Sequence, residues 1–304
     1  MRVAAAQYPI EQHRDFAAYA AKIERWIADA AARGCELAVF PEYGSMELGS
    51  LMPPEVQSDP PRQRHAIQAH LEPFRALHAR LSRAHGMWIA AASIPVARPD
   101  GSFCNRVHVY GPAGEVGFAD KQIMTRFERE SWLIDPAQGP AEPAQAMPVF
   151  DTGAAVLGVS VCYDVEFPLL ARRLVEAGAR VLLVPSCTDT EAGAHRVRVG
   201  ARARALENQC YAVQAVTWGQ APWSAAVDVN TGCAAVYGPI DRGFPDDGIL
   251  ASQPADQPGW LIADLDLDAL DAVRQGGQVT NDRDWPLHVA AARAPVTRIG
   301  RERA

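Results

Sequence analysis

The sequence predicts a mixed α/β fold in one large domain, and three observations carry that reading. Hydrophobic residues make up 48% of the 304 positions, enough for a single well-packed core and too many for a disordered chain. Short apolar runs rich in branched residues alternate with longer amphipathic stretches, the pattern of strands separated by helices. Between those units several strand-like runs follow one another directly, so the sheet is expected to be mixed rather than purely parallel.

The elements follow in order. RVAAAQY and ELAVFP read as strands flanking a helix at 14–33, where Phe16, Tyr19, Ile23, Trp26 and Ile27 form one apolar stripe. Residues 62–85 read as a second long helix. MWIAAASIP and CNRVHVYG are consecutive strands, and GPAGE at 111–115 supplies a hairpin turn to the next. AVLGVSVC is a strand running up to Cys162, followed by a helix at 167–177 that Gly178 terminates. RVLLVPS, a helix at 190–208, YAVQAVT and WLIADLDL complete the series. The Pro-rich PAQGPAEPAQAMP at 136–148 is the nearest thing to a boundary, but the strands on either side read as one core. The expected organisation is a domain over residues 1–285 and a C-terminal tail over 286–304.

Charge and composition exclude several classes. The net charge is −7 with dispersed basic residues, which argues against nucleic acid as a partner. The N-terminal apolar run is broken by Pro9, too short for a signal peptide, and no run approaches the ~18 apolar residues of a membrane span. A cytoplasmic protein without a membrane partner is expected. The six cysteines (Cys35, Cys104, Cys162, Cys187, Cys210 and Cys233) include no C-x-x-C, and His65, His70, His78 and His85 include no H-E-x-x-H. Neither a metal site nor a disulfide framework is expected from that spacing.

Three strand ends carry an ionisable residue. LAVFPEYG runs into Pro41, which cannot continue a ladder, and then Glu42. EVGFADKQ ends at Asp120 and Lys121, and LGVSVCYDVEFP ends at Cys162. Clefts and catalytic groups collect at strand ends in α/β proteins. Taken singly, the three are an ordinary loop carboxylate, a surface lysine and a core thiol. Together they supply a base, a cation and a nucleophile for acyl transfer. Asp164 and Glu166 are expected to keep the thiol protonated at rest, so attack needs a base in contact and a cation nearby.

These segments resemble the nitrilase superfamily of carbon–nitrogen hydrolases, whose catalytic residues are a glutamate, a lysine and a cysteine in that order. FPE matches at Glu42, DKQ at Lys121 and CYDVEFP at Cys162, with separations of 79 and 41 residues. EAGARVLLVPS and RARALENQCYAVQA extend the likeness, which runs from Arg2 to roughly residue 270. Leu169 departs from it, standing where many relatives carry an acid at a helix start. The resemblance implies a four-layer α–β–β–α sandwich, a homo-oligomer with the helix after Cys162 at its interface, and no cofactor. It implies hydrolysis of a small-molecule amide through a thioester on Cys162. Glu42 is then the general base, and Lys121 with the backbone N–H of Tyr163 holds the oxyanion.

A second glutamate that holds the lysine is also implied, and RFERESW offers Glu128 and Glu130. Glu130 is favoured because it lies six residues before Pro136. Cys187, at another strand end, is either a rival nucleophile or a lining residue of the same cleft. The segment 217–248 is expected to contribute pocket wall, with Trp218, Trp223, Tyr237 and Phe244 as candidates, though core or interface packing would equally use such aromatics. Tyr163–Asp164 after the cysteine resembles the amidase branches. Nitrile hydrolysis, N-acyl transfer, a binding protein of this fold and a redox-sensing thiol are the alternatives.

Overall fold

The computed structural model describes residues 1–135 and 146–300. The first part of the chain runs β1 (Arg2–Pro9), α1 (Phe16–Ala32), β2 (Leu37–Val39), α2 (Pro54–Gln57), α3 (Pro60–Ala66), α4 (Leu71–His85), β3 (Trp88–Ala90), β4 (Ile94–Ala97), β5 (Phe103–Gly111) and β6 (Gly114–Asp120). After a π-helical turn at Glu128–Trp132 come β7 (Val149–Asp151), β8 (Val156–Val159), α5 (Pro168–Glu176), β9 (Val181–Ser186), α6 (Glu191–Asn208) and β10 (Tyr211–Gln220). The chain then passes through β11 (Val229–Asn230), β12 (Ala235–Tyr237), β13 (Ile249–Ser252), β14 (Gly259–Asp264), α7 (Leu267–Gly276) and α8 (Asn281–Ala291). Most of the Pro-rich segment, including Pro136, lies outside the described residues.

The sheet is mixed, as expected. Its main path is β4-β5-β3-β2-β1-β10-β9-β8-β7. The steps from β3 through β2, β1, β10 and β9 to β8 are parallel, while β4, β6, β7 and β14 join antiparallel. The sheet forks at Gln7: β14 pairs with β1 from Arg2 to Gln7, and β10 takes over from Gln7 to Pro9. The amide of Gln7 is buried there, with Nε2 donating to Pro254 O at 2.8 Å and Oε1 accepting from Ala234 N at 3.0 Å. Helix α4 covers β5 and β6 with α1 packed beside it, and α5 and α6 cover β8, β9 and β10.

Local chemistry explains the boundaries. Asp15 caps α1 by accepting from Ala18 N, and Thr190 caps α6 by accepting from Gly193 N, each worth about 1 kcal/mol. Gly178 sits at φ +103°, ending the α5 turn where an L side chain would be strained. The helix expected at 62–85 is broken into α3, a 3₁₀ turn at Ile67–His70, and α4. Pro73 lacks an N–H and fits only the first turn of a helix, so a continuous helix through it is disfavoured. The tail expected from residue 286 begins inside α8, whose Asp282 is held by Arg172 at 2.9 Å.

The parallel strands place their carboxyl ends together. Glu42 follows β2, Cys162 follows β8, Cys187 follows β9, and Thr217 lies near the end of β10. Lys121 arrives at the same place from the antiparallel hairpin β5–β6. This is the crevice position at which α/β sheets gather ligands.

Candidate active site

Each reactive side chain is delivered by a backbone fixed just beyond its strand. Past β2, Ser93 N donates to Pro41 O (3.1 Å), Tyr43 N donates to Ser93 Oγ (2.9 Å), and Thr217 Oγ1 donates to the Glu42 carbonyl (2.6 Å). Lys121 N donates to Asn105 O at 2.9 Å, one residue after the β5–β6 ladder ends. At the end of β8, Ser160 N still pairs with Leu183 O (2.9 Å), and then Cys162 turns to φ +48° and opens a 3₁₀ turn. A left-handed conformation at a non-glycine residue is unfavourable and collects at functional sites. Glu42, Lys121, Glu128 and Cys162 are all nearly inaccessible to solvent, yet all line one cavity of 720 Å³, a size that suits a small molecule.

The lysine ammonium sits between two carboxylates. Lys121 Nζ donates to Glu42 Oε1 at 2.8 Å and to Glu128 at 2.9 Å (Oε1) and 2.7 Å (Oε2). The second glutamate beside the lysine is therefore Glu128. Glu130, the residue favoured from the sequence, points outward and pairs with Arg126 at 2.8 Å. Positions two apart on a helical turn face different directions, and burial falls on Glu128 and Trp132, with residues 129–131 exposed. The signal that marks Glu128 is T-x-x-E. Glu128 Oε2 accepts from Thr125 N (2.8 Å), and Thr125 Oγ1 accepts from Glu128 N (3.3 Å), a capping box.

The two carboxylates differ in environment. Glu128 accepts from Lys121, from Tyr43 OH at 2.7 Å and from both the N–H and hydroxyl of Thr125. Burial works against its charge, but Lys121 and these donors outweigh burial and hold it below the usual carboxylate range. Glu42 accepts from Lys121, from Asn105 Nδ2 at 2.9 Å and from Cys187 N at 3.0 Å. For Glu42 burial wins over Lys121, and the Glu128 charge adds to it, so its proton affinity rises toward neutrality. Burial disfavours the Lys121 charge too, but Glu128 and Glu42 together hold it protonated. One carboxylate is thus a fixed counter-ion, and the other can exchange a proton near neutral pH.

Burial, then the neighbouring Glu42, push the Cys162 thiol well above an ordinary cysteine, with Lys121 pulling the other way. The thiol is neutral at rest, but Asp164 and Glu166 are not the cause. Asp164 accepts from the backbone N–H groups of Gln122 and Ile123, and Glu166 pairs with Arg196 at 3.4 Å. Tyr163 follows at the cavity wall, its ring edge-on to Phe167.

Cys187 lies in the same cavity, but its peptide, more than its sulfur, meets the reactive groups. Its N–H donates to Glu42, its carbonyl accepts from Cys162 Sγ (3.6 Å), and its own thiol is turned to Asn230 Oδ1 (3.1 Å). Trp218 and Trp223 are absent from the cavity wall. Side chains alternate along β10, so Thr217 faces Glu42 and Trp218 faces the other way, its indole N–H donating to Ala255 O at 2.7 Å. Trp223 is half-buried against the core. Tyr237 and Phe244 are core packing as well: Tyr237 OH donates to Gln214 Oε1, and Phe244 packs on Tyr211. Residues 225–230 of that segment do line the cavity, and Tyr43, Phe127 and Trp132 supply aromatic wall that the sequence reading missed. Among the described residues no group of three or more His, Cys, Asp or Glu could hold a metal ion, and no helix is long and apolar enough to cross a membrane.

Residues 2–275 match the family model described as carbon-nitrogen hydrolase. The chain belongs to the carbon–nitrogen hydrolase family. A probable hydrolase of Bacillus subtilis (strain 168), YhcX, is 28% identical over 284 residues, covering 93% of this chain and 53% of that protein. The deaminated glutathione amidase of Rattus norvegicus is 28% identical over 208 residues, covering 65% of this chain and 59% of that one. The chain thus spans a little over half the length of these curated relatives. In structure it is similar to an amidase from Nesterenkonia sp. (TM-score 0.66, 23% identity, 96% of each chain). It is also similar to Saccharomyces cerevisiae Nit3, a member of branch 10 of the nitrilase superfamily (TM-score 0.70, 20% identity, 93% of this chain and 96% of that one). These likenesses establish the fold of a carbon–nitrogen hydrolase, with its curled mixed sheet and flanking helices.

Proposed function

We propose that this carbon–nitrogen hydrolase is an amidase that cleaves a small-molecule amide through a thioester on Cys162. The observation that carries the reading is Lys121 held between Glu42 at 2.8 Å and Glu128 at 2.7 Å, in the cavity that Cys162 lines. Glu42 takes the thiol proton as sulfur attacks the amide carbonyl, which matches a base raised toward neutrality facing a neutral thiol. Lys121 and the backbone N–H of Tyr163 stabilise the oxyanion, a contribution of about 3 kcal/mol per donor. Glu42 returns the proton to the departing ammonia or amine, and then activates the water that releases the acid. Glu128 replaces Glu130 in the role of holding the lysine. The same reading makes the protein a cytoplasmic homo-oligomer with its domain extending to about residue 285. Leu169 on α5 and Val199 on α6, exposed at 69% and 67%, support the assembly.

The test is ammonia release over a panel of small amides, with Cys162→Ala as control. Turnover of at least one amide by the natural protein, lost by a factor above ~10³ in the variant, is the expected outcome. Activity that survives the substitution removes the nucleophile from the mechanism. Turnover of nitriles and of no amide overturns the substrate class alone.

A further inference from the structure

The loop that carries Lys121 is attached to the turn that carries Cys162 through one side chain, Asp164. β6 ends its ladder at the pair Arg106–Asp120, and the peptide N–H groups after Lys121 lie past that end. Asp164 accepts from them. Its Oδ1 accepts from Ile123 N at 2.8 Å and from Gln122 N at 3.2 Å, and its Oδ2 accepts from Gln122 N at 3.0 Å. On the other side of the lysine, Lys121 N donates to Asn105 O at 2.9 Å. The Cα of Lys121 is therefore pinned from both sides, from β5 before it and from the nucleophile turn after it. Asp164 is itself rigid: it is 2% exposed, its N–H donates to Val161 O at 3.0 Å, and its carbonyl accepts from Phe167 N at 3.1 Å.

We infer that Asp164 is a positioning residue that sets the distance between the Lys121 ammonium and the Cys162 sulfur. The inference rests on the proposed roles of those two residues. A carboxyl group suits the task because both of its oxygens can accept, and the two convergent N–H groups between them reach both. It is buried and feels the Glu128 charge, a location that penalises its own charge. Lys121 and the two backbone donors offset part of that penalty, and what remains raises its pKa to about 7. Misplacing catalytic groups by about 1 Å can cost ~10²-fold in rate without touching substrate affinity.

The experiment compares Asp164→Asn with Glu47→Gln. Glu47 belongs to a separate buried cluster with Tyr8, His13 and Lys22, so its variant reports loss of a buried network without disturbing the lysine loop. Asn presents one acceptor and turns an NH₂ toward the second backbone N–H. Asp164→Asn is expected to lower kcat at least ~30-fold with KM changed less than ~3-fold, measured where both variants are folded. Glu47→Gln is expected to lower the melting temperature while leaving kcat within ~3-fold. Retained kcat in Asp164→Asn, or an equal loss in both variants, overturns the inference. Should Asp164→Asn fail to fold, amide hydrogen exchange in the natural protein decides: residues 122 and 123 protected like β6 support the clamp, and fast exchange there overturns it. If the natural protein hydrolyses no amide, the proposed function has failed instead, and the exchange experiment still reads the clamp separately.

Discussion

At the scale of single residues, the decisive feature is that two glutamates share one lysine and are driven apart in proton affinity. Glu128 has so many donors that it stays ionised, while Glu42, with fewer, is raised to about 7. Their roles differ for that physical reason, and substitutions should separate them. Glu128→Gln keeps the shape but removes the charge that holds Lys121, and is expected to lower kcat/KM by about 10²-fold or more. Glu130→Gln touches only a surface pair with Arg126, of a kind worth well under 1 kcal/mol, and is expected to leave kcat/KM within ~2-fold. Equal effects of the two would return Glu130 to candidacy. The pH dependence follows from Glu42. Its protonated form cannot accept the thiol proton, so kcat/KM on a neutral amide should fall as pH drops through about 7. The limb belongs to the coupled cluster rather than to one side chain. A profile flat from pH 5 to 8 would remove Glu42 as base.

Among the elements, α6 bears directly on the nucleophile. Gly200 lies where the helix crosses the Cys162 turn, and a Cβ there would meet Val165 Cγ1 at 2.9 Å and the Val165 carbonyl oxygen at 3.1 Å. The second contact is backbone of the turn itself and cannot rotate away. Arg204, one turn along α6, anchors the same carbonyl with Nη1 at 2.9 Å. Gly200→Ala should therefore displace the turn, costing about 1–3 kcal/mol of stability and lowering kcat more than 10-fold, against the ordinary gain of Ala over Gly in a helix. Steady-state kinetics with a thermal melt check this. Unchanged kcat with a raised melting temperature would mean that the turn is looser than its contacts imply.

For the whole molecule, stability should respond to acid through a histidine that does not line the cavity. His78 on α4 is fully buried, its Nδ1 is 2.8 Å from Phe74 O, and its Nε2 has no hydrogen-bond partner among the described residues. Burial holds its pKa down to about 4 from an unfolded value of 6.5, with nearby His108 pushing the same way and the Phe74 carbonyl opposing. The neutral form is the folded one, so this stabilisation is complete above pH 6.5 and is lost as pH falls from there toward 4. The loss reaches about 3 kcal/mol at the lower end. Urea denaturation at pH 7.5 and 4.5 should show it, and His78→Phe should flatten the dependence by a comparable amount; an unchanged dependence would place the acid sensitivity elsewhere. The sequence by itself determined much of this protein. Its apolar runs and turn residues marked the strands and most helices, because those follow from local periodicity and from Gly and Pro backbone limits. The motifs FPE, DKQ and CYDVEFP placed Glu42, Lys121 and Cys162 at strand ends, because a strand must stop before its side chains can enter a crevice. Only the tertiary structure decided between Glu128 and Glu130, moved Trp218 and Trp223 off the cavity wall, and gave Asp164 to the lysine loop. Each of those depends on which way a side chain points, and the last on contacts between segments 41 and 42 residues apart. Beyond the T-x-x-E capping box at Glu128, local pattern carries no such information, and packing does.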